Sequence, residues 1–160
     1  MSAAPHTWAE MLHEIRFCGE PDEIEDVHVT TFGTASVDGL AAMAQAGFDD
    51  PRFRPGARIL IDHRHLDWRR MSSDDIRLRA ERMAAEEAPL LAGCRVAIVA
   101  RGPAEFGVVR MLLTYAELDT DVELDIFPTL EQARAWLAAA PAAAAPLVPR
   151  GRYSNEGPCR

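Results

Sequence analysis

The densest group of polar and aromatic side chains follows an apolar stretch near the middle of the chain. The stretch at 57–61 is rich in aliphatic residues, and residues 62–70 read Asp-His-Arg-His-Leu-Asp-Trp-Arg-Arg. A carboxylate two residues before an arginine suits charge-assisted hydrogen bonding. Asp62 and Arg64 therefore fit either a structural ion pair at a strand end or a direct contact with a ligand.

The two histidines of this group have a spacing found in metal sites. On a strand that continued past residue 62, His63 and His65 would present both imidazoles on one side. A metal needs a third and usually a fourth ligand, and besides Asp62 and Asp67 no distant residue completes the set. We therefore expect loop histidines on a solvated rim and no metal or other cofactor. A small metal-dependent hydrolase using the His63/His65 cluster remains the alternative.

A second candidate group surrounds the start of a helix. Gly102-Pro103 precedes an apolar helical stretch, and the free amides of such a first turn can receive an anion, with Arg101 adjacent. Arg110 lies four residues after Phe106, on the same side of the helix. Its guanidinium is either solvated at the helix edge or forms a bidentate ion pair with a carboxylate such as that of Asp62.

Composition limits the class of protein. The 160 residues carry 25 acidic and 17 basic side chains, a net charge of −8. An acidic chain lacks the positive electrostatic field that attracts nucleic acids and anionic membranes. We therefore expect neither as a partner. The three cysteines are far apart in the sequence and include no Cys-x-x-Cys pair. The sequence also has no recognisable signal sequence and no apolar stretch near 20 residues. These features favour a cytoplasmic protein without a membrane span.

Hydrophobic periodicity predicts the order β-β-α-β-α-β-α-β-α. Apolar and polar residues alternate at 12–18 and 24–32, which indicates an antiparallel hairpin. In the rest of the chain, segments whose apolar residues recur at helical spacing alternate with short apolar strands. Such strand–helix–strand units form parallel neighbours with right-handed crossovers. The prediction is an α/β fold: a mostly parallel five-stranded sheet with an N-terminal antiparallel hairpin, flanked by four helices. We expect a flexible N-terminus at 1–10, the domain at 11–140 and an Ala/Pro-rich flexible tail at 141–160.

This topology brings the two candidate groups together. Ligands of open α/β sheets collect outside the carboxyl ends of the parallel strands. We therefore predict a ligand-binding rim, here called the carboxyl-edge rim, that consists of Asp62, Arg64, Arg101, Phe106 and Arg110.

Four stretches together resemble a known family. They are 50–56 (DPRFRPG), 60–64 (LIDHR), 106–111 (FGVVRM) and 126–137 (IFPTLEQARAWL). In order and spacing the set resembles the short bacterial STAS/SEC14-like proteins, which have the SpoIIAA-like fold of the anti-sigma-factor antagonists. The resemblance implies a non-enzymatic domain that acts through a protein partner or a small apolar ligand.

The same resemblance makes Ser72 and Ser73 candidate phosphorylation sites, because anti-sigma-factor antagonists carry a phosphorylatable serine before the second helix. Here Asp74 and Asp75 follow the serines, and a phosphate beside two carboxylates would be repelled. A helix cap is the interpretation that we favour for this segment.

The expected function is a non-enzymatic binding or regulatory module. It would engage a protein partner or a small apolar or anionic ligand at the carboxyl-edge rim. A homo-oligomer formed through the edge of the first strand pair is a further option.

Overall fold

The computed structural model describes residues 9–18, 20, 22–116 and 122–139. Within these ranges the chain forms five strands and four α-helices in the predicted order. The strands are β1 (Leu12–Phe17), β2 (Val27–Thr34), β3 (Arg58–Asp67), β4 (Arg95–Val99) and β5 (Glu123–Phe127). The helices are α1 (Val37–Asp49), α2 (Ser73–Arg82), α3 (Pro103–Ala116) and α4 (Leu130–Ala138).

The strands form one sheet in the order β1-β2-β3-β4-β5. β1 pairs with β2 in antiparallel fashion, and the remaining pairs are parallel. The predicted α/β class, the N-terminal hairpin and the mostly parallel sheet are confirmed.

The sequential strand order decides where the helices lie. Each crossover from β2 to β5 moves one strand further in the same direction, and right-handed crossovers of that kind put their helices on one side of a sheet. α1, α2 and α3 accordingly pack on one face, here called the α1–α3 face, where their apolar residues meet those of β2 to β5. α4 follows the last strand and covers the other face, here called the α4 face, with Ala133 and Leu137 against Leu60, Ala97 and Val99.

β3 is longer than the sequence suggests. The apolar stretch predicts a strand that ends at Asp62, but β3 continues to Asp67 because its second half pairs with β2. Thr30 opposes Asp62 and Phe32 opposes His65, so β3 has one extra residue there, a β-bulge. The polar group that reads as a loop in the sequence is therefore mostly part of the sheet.

The second helix begins and ends with specific backbone features. Ser72 accepts a hydrogen bond from the Asp75 backbone N–H (3.1 Å), and the Asp75 carboxylate accepts one from the Ser72 N–H (3.0 Å), which together form a capping box. After Arg82 the helix widens into a π-helical turn at Met83–Glu87, where the Ala88 N–H donates to the Met83 carbonyl. Such turns are rare and recur at functional sites.

The predicted flexible segments, 1–10 and 141–160, lie outside the described residues except for Ala9 and Glu10. None of the described helices is long and apolar enough to cross a bilayer.

The capping box predicts different effects for the two neighbouring serines. Ser72→Ala removes the acceptor for the Asp75 N–H and should lower the free energy of unfolding by about 1 kcal/mol. Ser73→Ala, at the first helical position, is the matched control and should change it by less than about 0.5 kcal/mol. Urea unfolding of both variants measures the difference, and equal losses would contradict this role of Ser72.

Candidate functional site

Asp62 and Arg64 of the carboxyl-edge rim form a tight ion pair. The Arg64 guanidinium donates from Nε and Nη2 to the two Asp62 carboxylate oxygens, each at 2.9 Å, and its backbone N–H donates at 3.0 Å. Burial acts to raise the pKa of Asp62, but these Arg64 bonds outweigh it and hold the pKa below its usual value. The carboxylate is 4% exposed, and Arg64 already occupies both of its oxygens.

Phe106 and Arg110 form a second, separate pair on α3. The Arg110 guanidinium lies 5.3 Å from the centre of the Phe106 ring, a cation–π contact, and Arg110 is exposed. Phe106 packs against the core of the α1–α3 face. Arg101 is exposed just after β4.

The two pairs lie on opposite faces of the sheet. Asp62 is two residues from Leu60 and opposes Val99, and both of those residues belong to the α4 face. Among the residues that the structure describes, no hydrogen bond, ion pair or ring contact joins Asp62 or Arg64 to Arg101, Phe106 or Arg110. The carboxyl-edge rim as a ligand site stays a prediction.

The two histidines also lie on opposite faces. His63 contacts the buried Thr31 on the α1–α3 face, whereas His65 stacks on Phe32, the next residue of β2, at 5.7 Å between ring centres. The expectation that a continuing strand would place both on one side is wrong because the β-bulge breaks the alternation between them. In the described ranges, no three His, Cys, Asp or Glu side chains group as metal ligands would.

A cavity lies between the α1–α3 face of the sheet and its three helices. Its volume is about 90 Å³. Most of its wall is aliphatic and comes from β2 to β5 and from α1 and α3, including Val29, Leu40, Met43, Ile61, Val96, Ile98, Val109, Leu112 and Leu124. An apolar cavity of about 150 Å³ holds benzene, so a space of this size suits a smaller organic molecule.

Four polar residues complete the cavity wall: His63, Trp68, Arg79 and Glu87. Arg79 and Glu87 form a buried bidentate ion pair, in which Nη1 and Nη2 of Arg79 donate to the two Glu87 carboxylate oxygens. Their side chains are only 4% and 8% exposed. The π-helical turn ends at Glu87, which places the two partners eight residues apart on one continuous helical segment.

Two buried N–H groups of this wall have no hydrogen-bond partner among the described residues, Nε1 of Trp68 and Nε of Arg79. Both residues are 4% exposed. Leaving such a donor unpaired costs about 1–3 kcal/mol, so buried donors of native proteins nearly always meet an acceptor. Nε1 of Trp136 is likewise unpaired, but Trp136 packs on the α4 face.

His63 is held in its neutral form. Burial lowers its pKa to about 3, and the positive charge of Arg79 acts in the same direction. Its Nδ1 lies 2.8 Å from the Thr31 hydroxyl, which also donates to the Asp62 carbonyl at 3.3 Å. The imidazole ring meets the Trp68 ring edge to face at 5.3 Å, so these polar residues form one end of the cavity.

The other end of the cavity meets the surface. The partly exposed lining residues are concentrated at the end of α1 and in the loop after it, at Ala44, Gly47, Phe48 and Phe53. Phe48 and Phe53 meet edge to face at 5.2 Å.

The sequence contains a signal for this polar wall. Arg79 and Glu87 fall at helical spacing on the stripe defined by Ile76, Ala80 and Met83, so two opposite charges face the core on an otherwise apolar stripe. The sequence has no comparable signal that His63 and Trp68 belong to the cavity wall, because their positions depend on the β-bulge and on the extension of β3.

Comparison of the chain with models of protein families, with curated proteins and with solved structures finds no match.

The low pKa of His63 predicts a loss of stability in mild acid. The unfolded chain takes up a proton near pH 6.5, whereas the folded chain keeps His63 neutral down to about pH 3, so protons favour unfolding between these values. Between pH 7 and pH 5 this one group should lower the free energy of unfolding by about 2 kcal/mol.

Urea unfolding at both pH values measures this loss in the wild type and in His63→Asn. The variant should lose about 2 kcal/mol less than the wild type on acidification. His65→Asn makes the same substitution at the exposed histidine of the other face and is the matched control for the substitution itself. An unchanged pH dependence in His63→Asn would contradict the prediction.

Proposed function

We propose that this chain is a non-enzymatic binding module that holds a small, mostly apolar molecule in the cavity between the sheet and α1 to α3. The observation that carries the proposal is the combination of an apolar space of about 90 Å³ with two unpaired, buried N–H donors in its wall. Ligand sites of proteins have this composition, an apolar lining with a few polar groups that fix orientation.

Packing considerations support a ligand in this space. Protein interiors are packed as densely as organic crystals, and the atoms that line an empty space lose dispersion contacts. An apolar molecule that fits the cavity would restore those contacts and leave water at the same time.

The chemistry of the wall supports binding rather than catalysis. The guanidinium and the carboxylate of the Arg79–Glu87 pair occupy each other, and the neutral His63 has its Nδ1 in contact with Thr31. General acid–base catalysis needs a group whose pKa lies near the working pH, and the pKa of His63 lies well below it.

Several finer features belong to the same proposal. A binding or regulatory role for the module agrees with the resemblance to STAS/SEC14-like proteins. We place the module in the cytoplasm because the two cysteines among the described residues, Cys18 and Cys94, are both free thiols. Contact with a protein partner at the carboxyl-edge rim remains compatible with a ligand in the interior.

Xenon tests whether the cavity takes up an apolar guest. In protein NMR under xenon pressure, methyl signals of residues that line the cavity, such as Val109 and Leu112, should shift with a saturable dependence on xenon concentration. Methyl signals of the α4 face, such as that of Leu137, should not.

Two matched variants sharpen the test. Val109→Ile adds one methyl group to the cavity wall, so it should weaken xenon binding severalfold and raise the free energy of unfolding by about 0.5–1 kcal/mol. Val99→Ile adds the same group on the α4 face and should leave xenon binding unchanged. Absence of a saturable shift at the cavity residues of the wild type would refute the proposed function.

A further inference from the structure

The geometry points to a specific class of ligand: a small neutral carbonyl compound, whose oxygen accepts from Trp68 and Arg79 while its apolar part fills the cavity. This inference rests on the proposed function and goes beyond it, since apolar binding alone requires no oxygen. Ketones, aldehydes, esters and amides share this chemistry.

The unpaired donors require an acceptor. Nε1 of Trp68 and Nε of Arg79 can only donate hydrogen bonds, and each sits on a residue that is 4% exposed. A carbonyl oxygen has two lone pairs and can accept from two N–H groups. A hydrocarbon would fill the same volume and leave both donors unpaired.

The charges of the wall favour a neutral ligand over an anion. Glu87 already neutralises the Arg79 guanidinium through both terminal nitrogens, and the Nε N–H is the buried donor that this contact leaves unpaired. A second carboxylate beside Glu87 would be a buried charge without a counter-ion, and such charges are strongly unfavourable. His63 cannot supply the missing positive charge because it stays neutral.

Three molecules of nearly equal shape test this inference. Acetone, 2-methylpropene and acetate each have four non-hydrogen atoms in a planar arrangement, and they present a carbonyl, a hydrocarbon and a carboxylate. In NMR titrations that follow the methyl groups of Val109 and Leu112, we expect acetone to bind about tenfold more tightly than 2-methylpropene. Acetate should cause no saturable shift.

The indole N–H signals give a direct readout with an internal control. Acetone should move the Trp68 Nε1–H proton downfield as a hydrogen bond forms, whereas 2-methylpropene should not. The Trp136 Nε1–H is equally buried and unpaired but lies on the α4 face, so it should stay in place. Trp68→Phe and Trp136→Phe assign the two signals.

Trp68→Phe also tests the source of selectivity. It removes the donor and keeps an aromatic ring. The extra space left by the smaller ring acts on both molecules, so the expected result is a ratio: acetone should lose most of its advantage over 2-methylpropene. Should this variant fail to fold, the wild-type indole shifts and the Trp136→Phe assignment still decide the matter.

The outcomes separate the two proposals. Equal affinities for acetone and 2-methylpropene with no shift at the Trp68 indole would overturn the carbonyl inference and leave the proposed function standing. Tighter binding of acetate than of acetone would overturn it as well. If none of the three molecules, nor xenon, shifts the cavity methyl groups, both proposals fail.

Discussion

The handedness of the crossovers governs the arrangement of this protein. Four parallel strands follow one another in sequence order, so every right-handed crossover places its helix on the same side of the sheet. Three helices therefore share one face, and within the described part of the chain α4 covers the other. The layer formed by α1 to α3 contains the cavity, and the polar residues of its wall come from β3, from the residue just after β3 and from the helical segment that follows.

The buried ion pair of Arg79 and Glu87 forms part of the polar wall of this cavity. Removing Arg79 and Glu87 from water is unfavourable, and their bidentate contact offsets part of that cost. Apolar residues of similar size would often serve stability as well or better. The presence of the pair beside an unpaired Trp68 donor and a neutral His63 agrees with the proposal that this wall orients a bound molecule.

Much of the fold could be predicted from local sequence patterns. Ser72 and Thr129 cap their helices, Pro103 begins the third helix, and the apolar stretch at 95–99 forms a fully buried strand.

Less of the candidate site could be predicted from such local patterns. Of the two roles that the spacing of Asp62 and Arg64 allows, the structure shows the ion pair, since two residues of opposite charge at that spacing can hold each other locally, and the ligand contact stays a prediction. Their position relative to Phe106 and Arg110 depends on which face of β3 each side chain takes, and no local pattern sets that relation.

The sequence by itself determined the order of elements, the parallel sheet and the acidic surface, because periodicity, caps and charge are properties of neighbouring residues. Only the tertiary structure decided that His63 belongs to the interior and His65 to the surface, because a single extra residue in β3 reverses the alternation of its side chains. The cavity was likewise a tertiary outcome. It depends on how side chains from four strands and three helices fill a shared volume, and packing of that kind links residues far apart in the chain.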